Sequence, residues 1–156
     1  MQEEKKFSKS ELYQLFDAVG HDVSGYYNRL LGQLLTTVEA TIEDERQAGA
    51  LKERVKDIQG HCFEDLHKFL WGYHNGMSEN DKIESPQSIE KQMQNMITSY
   101  MGNYEGRLIN LVGAIVSNDH RLKCLTREIK SLVSTVAGYI RRAVREELKV
   151  VKEKQS

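Results

Sequence analysis

The sequence predicts an all-α protein, one helical domain built as an antiparallel bundle of four long amphipathic helices. Three observations support this fold class. The chain has 156 residues and a single proline, a residue that interrupts helices. Apolar residues recur at steps of three and four, the spacing of a helix that buries one side. Only one segment, the linker 75–85, is polar and lacks this period.

The first predicted helix begins at Ser8, which stands three residues before Glu11 as in a capping box. Its apolar stripe extends over about seven turns. The stripe consists of Leu12, Leu15, Phe16, Val19, Val23, Tyr26, Leu30 and Leu34. Glycine costs about 1 kcal/mol relative to alanine inside a helix, so a local break between Gly20 and Gly25 is one alternative.

The second predicted helix follows a cap formed by Thr41 and Asp44. Its stripe consists of Leu51, Val55, Ile58, Cys62, Leu66, Phe69 and Tyr73. We expect it to end at residues 74–76, His-Asn-Gly, because asparagine and glycine favour the left-handed helix ending. The first two helices form a helical hairpin over residues 8–74.

The third predicted helix begins at Ser85 and Pro86, a capping residue followed by proline in the first turn. Its stripe consists of Met93, Ile97, Tyr100, Met101, Tyr104, Leu108, Leu111, Val112 and Ile115. A short turn at 117–119 separates it from the fourth helix, so residues 86–154 form a second helical hairpin.

The fourth predicted helix, 120–154, has two different faces. Its apolar stripe consists of Leu122, Leu125, Ile129, Leu132, Val136, Ile140, Ala143 and Val151. The opposite side carries Lys123, Arg127, Arg141, Arg142, Arg145, Lys149 and Lys152. Four helices of about 30 residues would each be about 45 Å long, which predicts an elongated bundle with coiled-coil-like packing. The hairpins can pair within one chain or across two.

The charge of the chain is nearly balanced but unevenly distributed. The net charge is −1, with ten basic and five acidic residues from Asp119 onward and twelve basic and eighteen acidic residues before it. This polarity favours homo-oligomers and argues only weakly for nucleic acid. No run of about 18 apolar residues exists, and the N-terminus has no signal peptide, so we expect no membrane span. Two cysteines without a disulfide framework favour the cytoplasm.

Two helix faces opposite the stripes are candidate contact surfaces. On the second helix, Trp71 points away from the apolar stripe beside His67 and His74, and tryptophan is enriched in interface anchors. On the third helix, an arc of about 40° contains Gly102, Gly106 and Gly113, which would let another backbone approach closely. We predict a protein-binding surface at the first and an oligomer interface at the second.

The basic residues of the last helix are the second partner-binding candidate. Arg141, Arg142, Arg145 and Lys149 could contact an acidic protein, another subunit or the phosphates of a nucleic acid. No nucleic-acid-binding motif accompanies them. A nucleic-acid-binding or regulatory protein is therefore the alternative function.

A metal-binding or ligand-binding bundle is the second alternative. Glu64 and His67 have the Glu-x-x-His spacing of di-iron bundles, but they lie about 140–160° from the stripe and would face outward. We expect no metal site, no cofactor and no catalytic residues, since no Cys–His or Ser–His–Asp arrangement with helical spacing is identified. The sequence favours a non-catalytic interaction or adaptor protein that self-associates and binds a macromolecular partner.

Overall fold

A computed structural model describes residues 6–75 and 85–155, except the side chains of residues 69, 70, 73, 74 and 155. These residues form four α-helices and no strand, which confirms the all-α prediction. The helices are α1 (Lys9–Thr41), α2 (Glu45–Asn75), α3 (Pro86–Ile115) and α4 (Asp119–Gln155). Because α1 is continuous across Gly20 and Gly25, the alternative of a break there is wrong.

Two of the three predicted helix caps are confirmed. At α1, the Ser8 Oγ accepts from the Glu11 backbone N–H at 3.2 Å, and the Glu11 carboxylate accepts from the Ser8 N–H at 3.1 Å. At α3, Ser85 is the cap and Pro86 occupies the first turn. Both caps satisfy N–H groups that have no partner inside their own helix.

The predicted cap of α2 is wrong by three residues. Thr41 is still the last residue of α1, and the Asp44 carboxylate accepts from the backbone N–H groups of Arg46 and Gln47 at 2.9 and 3.1 Å. The positive end of the helix dipole also stabilises the negative charge of an aspartate at this position. α2 is described as far as Asn75, and Gly76 lies outside the described residues, so the predicted ending at 74–76 stays a prediction.

Each helix packs against two neighbours. α1 and α3 both contact α2 and α4, and so stand diagonally across the bundle. Along α1 and α2, contacts join Glu39 to Lys52 near the turn and Tyr13 to Trp71 at the far end. This arrangement places all four apolar stripes around one continuous core.

The two turns are tied to each other at one end of the bundle. Arg121 at the start of α4 forms a 3.0 Å ion pair with Glu43, which precedes α2. The Gln47 amide donates to the Ile115 carbonyl at 3.1 Å, which satisfies an acceptor at the end of α3.

The core contains most of the predicted stripe residues, with one shift in α1. Tyr27 is buried, whereas Tyr26, the predicted stripe residue, is half-buried and stacks on Tyr139 of α4 at 5.7 Å. Neighbouring residues on a helix point about 100° apart, so only one of the two tyrosines can face the centre. The buried face of α4 is also wider than predicted and includes Val133, Ala137, Val144 and Leu148.

Over the residues that the structure describes, no helix combines the length and the apolar character needed to cross a bilayer.

The capping box of α1 provides a stability test. Replacing Ser8 with alanine removes the acceptor of the Glu11 N–H and should lower the free energy of unfolding by about 1 kcal/mol. Ser10→Ala, an exposed change in the same turn, is the control and should leave stability within about 0.5 kcal/mol. Urea denaturation followed by circular dichroism measures both, and equal stabilities for the two variants would contradict the capping role.

Candidate functional site

A row of aromatic side chains lies along the boundary between α1 and α2. The aromatic row consists of Tyr13, Trp71, His67 and Phe63. Their ring centroids are separated in turn by 5.2, 5.9 and 6.5 Å. The spacing of four residues from 63 to 67 to 71 places the three α2 members on one helical face.

The aromatic row joins the surface to the core. Tyr13 is 49% exposed, His67 is exposed, and Trp71 and Phe63 are half-buried. At its inner end, the Phe63 ring contacts the buried Tyr27 ring at 5.7 Å. The aromatic row is therefore held in place by contact with the packed core rather than by contacts with loops.

The sequence identified part of this surface. Glu64 and His67 are exposed, as the helical spacing predicts. Trp71 is half-buried rather than fully outward, since its ring packs on Tyr13, a residue that the sequence reasoning missed. The side chain of His74 lies outside the described residues.

Two tyrosine hydroxyls form a polar layer inside the core. The Tyr104 hydroxyl donates to the Gln59 Oε1 at 3.2 Å, and the Tyr27 hydroxyl donates to the Met101 Sδ at 3.3 Å. Burial raises the pKa of both tyrosines well above its ordinary value, so the phenols stay neutral donors. Gln59 was missed, although its position four residues after Val55 on the α2 stripe marks it as inward.

Cys62 lies beside this layer and is buried. Burial raises the pKa of its thiol, and the Asp65 carboxylate raises it further, whereas Arg107 opposes the shift through its charge and a hydrogen bond. Since the thiolate is the reactive form of cysteine, a buried neutral thiol suits packing better than catalysis.

The basic face of α4 is partly engaged with α3. The Arg141 guanidinium donates to the Thr98 hydroxyl at 2.7 Å, and the Arg145 guanidinium pairs with Glu90 at 3.3 Å. Arg142 and Lys149 are exposed. Beside them lies a cleft of 320 Å³ with mixed charge, lined by Glu90, Arg145, Glu146, Leu148, Lys149 and Lys152. Two of the four predicted contact residues therefore hold helices of this chain together.

The three glycines of α3 lie on the surface, as predicted. Gly102 and Gly113 are exposed and Gly106 is half-buried. A Cβ atom added at any of them would meet nothing within 4 Å. Among the described residues, no other helix lies within 4 Å of these added Cβ atoms, and the oligomer interface at this position stays a prediction.

Side chains that could support metal or covalent chemistry are dispersed. Within residues 6–75 and 85–155, no three His, Cys, Asp or Glu side chains come close enough to hold a metal ion. One Cys–His pair was missed: Cys124 Sγ lies 3.9 Å from His120 Nε2, one helical turn away. The expectation that no such pair has helical spacing is wrong. The contact is long, however, and a nucleophilic dyad needs a well-aligned base.

The chain matches no protein-family model, no curated protein and no solved structure. The geometry of the described residues is therefore the basis for a functional proposal.

The polar layer yields a test of its contribution to stability. Tyr104→Phe leaves the Gln59 amide oxygen buried without its donor, which should lower the free energy of unfolding by about 1–3 kcal/mol. Adding Gln59→Leu to this variant removes the unsatisfied oxygen. The double variant should therefore lose less free energy of unfolding than the sum of the losses in the two single variants. A double-mutant cycle by urea denaturation measures the coupling, and strictly additive losses would contradict the hydrogen bond.

A pair of carboxylates lies at the boundary between α1 and α4. Burial raises the pKa of Glu147, and a hydrogen bond with Asp22 and the negative charges of Asp22 and Glu146 raise it further, against the opposing charge of Lys154. The folded state therefore retains the Glu147 proton at a pH where the unfolded chain has lost it.

This pair should make stability depend on pH. Because the folded pKa of Glu147 exceeds the ordinary value of 4.5, its protonated form stabilises the fold at low pH, and this stabilisation is lost as pH rises through the raised pKa. Glu147→Gln should remove this part of the slope when thermal unfolding is followed from pH 4.5 upward. The exposed Glu128→Gln should keep the slope, and identical slopes in both variants would refute the assignment.

Proposed function

We propose that this protein is a non-catalytic interaction protein that self-associates and binds a macromolecular partner through helix surfaces. The aromatic row is the observation that supports the proposal. Aromatic residues, tryptophan and tyrosine above all, are enriched where protein interfaces derive most of their binding energy. Here four such side chains occupy one continuous strip on two helices rather than scattered positions.

The geometry of the aromatic row suits a binding anchor. Trp71 packs between Tyr13 and His67, so its ring loses little conformational freedom when a partner covers it. Half-burial leaves part of the Trp71 and Phe63 rings available for contact while the rest is fixed against the bundle, and the Tyr13 and His67 side chains are exposed. A partner that presents apolar or aromatic side chains fits this surface.

The basic face of α4 has weaker support as the main partner surface. Arg141 and Arg145 already bond to Thr98 and Glu90 of α3, and acids line the adjoining cleft. A nucleic-acid partner would need these cations for phosphates. We therefore assign the principal contact to the aromatic row. A cytoplasmic location, in keeping with the free thiols of Cys62 and Cys124, belongs to the same proposal.

Site-specific photo-crosslinking in the cells that express the protein tests the proposal. A photoreactive phenylalanine analogue at Tyr13 samples the aromatic row, and the same analogue at Tyr139, which is 42% exposed on α4, is the matched control. We expect discrete adducts at Tyr13 and none at Tyr139. Trp71→Ala in the Tyr13 variant should weaken the contact by roughly 2 kcal/mol, about 30-fold in affinity, and deplete the adducts.

The control measurements make this experiment decisive. Circular dichroism should show that Trp71→Ala keeps the helical fold, and mass spectrometry of each adduct distinguishes a second copy of this chain from another protein. The absence of adducts at Tyr13, or the same adducts at Tyr139, would refute the aromatic row as a binding surface.

A further inference from the structure

The first turns of α4 carry two side chains of the kinds that bind transition metals. The Cys124 Sγ lies 3.9 Å from the His120 Nε2, and the two residues are four apart on the helix. Residues with this spacing are neighbours on one helical face. Thiolate sulfur and imidazole nitrogen are the ligands that zinc takes most often in proteins. Such a site was not expected from the sequence, in which these residues were not recognised as a pair.

The distance between the two ligand atoms suits a shared metal ion. Zinc bonds are about 2.3 Å to sulfur and about 2.0–2.1 Å to a histidine nitrogen, and a tetrahedral angle between them separates the ligand atoms by roughly 3.6 Å. The observed 3.9 Å is longer by a few tenths of an ångström, which small side-chain rotations close. A contact too long for a nucleophilic dyad is therefore close to the distance that zinc requires.

The helical turn that carries His120 is held by contacts on both sides. The Asn118 Oδ1 accepts from the Arg121 backbone N–H at 3.0 Å, which caps the start of α4. The Arg121 guanidinium pairs with Glu43 at 3.0 Å, which ties the same turn to the segment before α2. Because the turn is already in place, a metal ion needs to order little more than the two side chains.

The pair points away from the bundle. At 100° per residue, it lies about 160° from Ile129 in the buried stripe of α4. His120 is exposed and Cys124 is half-buried. Within the described parts of the chain, no third His, Cys, Asp or Glu side chain completes a metal site with them. Structural zinc sites have four protein ligands, so a second molecule must supply the other two.

We propose that two copies of this chain share one zinc ion, to which each copy contributes Cys124 and His120. Two cysteines and two histidines are one of the common ligand sets of structural zinc. Each thiol releases its proton to solvent when the sulfur binds the ion, and the two thiolates neutralise the charge of the ion. This zinc-bridged dimer rests on the self-association in the proposed function and specifies how it occurs.

The charges around the pair permit close approach of two copies. The residues within one turn of the pair, together with Glu43, carry three positive and three negative charges. These residues are Arg121, Lys123, Arg127, Glu43, Asp119 and Glu128. Because the charges cancel, a second copy meets no net repulsion at this end of α4.

Sedimentation velocity tests the zinc bridge. The chain is used without a histidine tag and with a phosphine reductant that prevents disulfides, at micromolar concentration, in EDTA and with one zinc ion per two chains. We expect a monomer in EDTA and a dimer with zinc. Cobalt(II) in place of zinc should give a thiolate-to-metal absorption that saturates at one ion per two chains, because each chain supplies two of the four ligands.

Substitutions of the two ligands show whether they hold the ion. Cys124→Ala and His120→Ala should each stay monomeric with zinc, whereas His120→Cys keeps a ligand at that position and should retain the dimer. The matched controls are Cys62→Ala and His61→Ala, which alter a buried thiol and an exposed imidazole of α2. Both controls should dimerise like the unaltered chain, and circular dichroism checks that every variant is folded.

Three results would overturn the zinc bridge alone: dimers that persist in EDTA, one zinc ion per chain without a dimer, or a dimer of Cys124→Ala with zinc. Dimers in EDTA would still support self-association through another contact. A chain that is monomeric both in EDTA and with zinc would overturn the zinc bridge and the self-association in the proposed function together. The adducts at Tyr13 would then still decide whether another protein binds the aromatic row.

Discussion

The bundle depends on the hydrogen bond between Tyr104 and Gln59 in the middle of an otherwise apolar core. Gln59 is the one polar residue that is buried among the described parts of the chain. Apolar stripes can slide past each other at modest cost, whereas a buried amide without its partner is strongly unfavourable. The bond therefore fixes the register of α2 against α3, and the Tyr27–Met101 contact fixes α1 against α3 in the same layer. The positions of all surface features along the bundle axis follow from this layer.

Helix periodicity in the sequence was sufficient to predict the fold class, the approximate bounds of the four helices and two of their caps. It was less informative about how each helix is rotated about its own axis. The apolar period of α1 does not reveal whether Tyr26 or its neighbour Tyr27 faces the centre, because at about 100° per residue the two flank the middle of the stripe. The wider buried face of α4, with Val133 and Val144, likewise reflects contact with two helices, whereas a periodic pattern is naturally drawn as one stripe.

The candidate site was predictable only where one helix determines it. Helical spacing correctly predicted that the His67 and Glu64 side chains are exposed. It could not show that Tyr13, about 60 residues earlier in the chain, packs on Trp71, since that contact depends on how α1 and α2 meet. The same limit applies to Arg141 and Arg145, whose partners Thr98 and Glu90 belong to α3. An arginine that looks unpaired when one helix is considered alone forms a hydrogen bond or ion pair once the neighbouring helix is in place.

The position of Trp71 has a consequence for spectroscopy. It is the sole tryptophan of the chain, and it lies in the aromatic row rather than in the central core. Tryptophan emission, excited at wavelengths where tyrosine does not absorb, is therefore a local signal from the boundary of α1 and α2. A change in emission reports events at that boundary, while the packing of α3 on α4 is optically silent by this method.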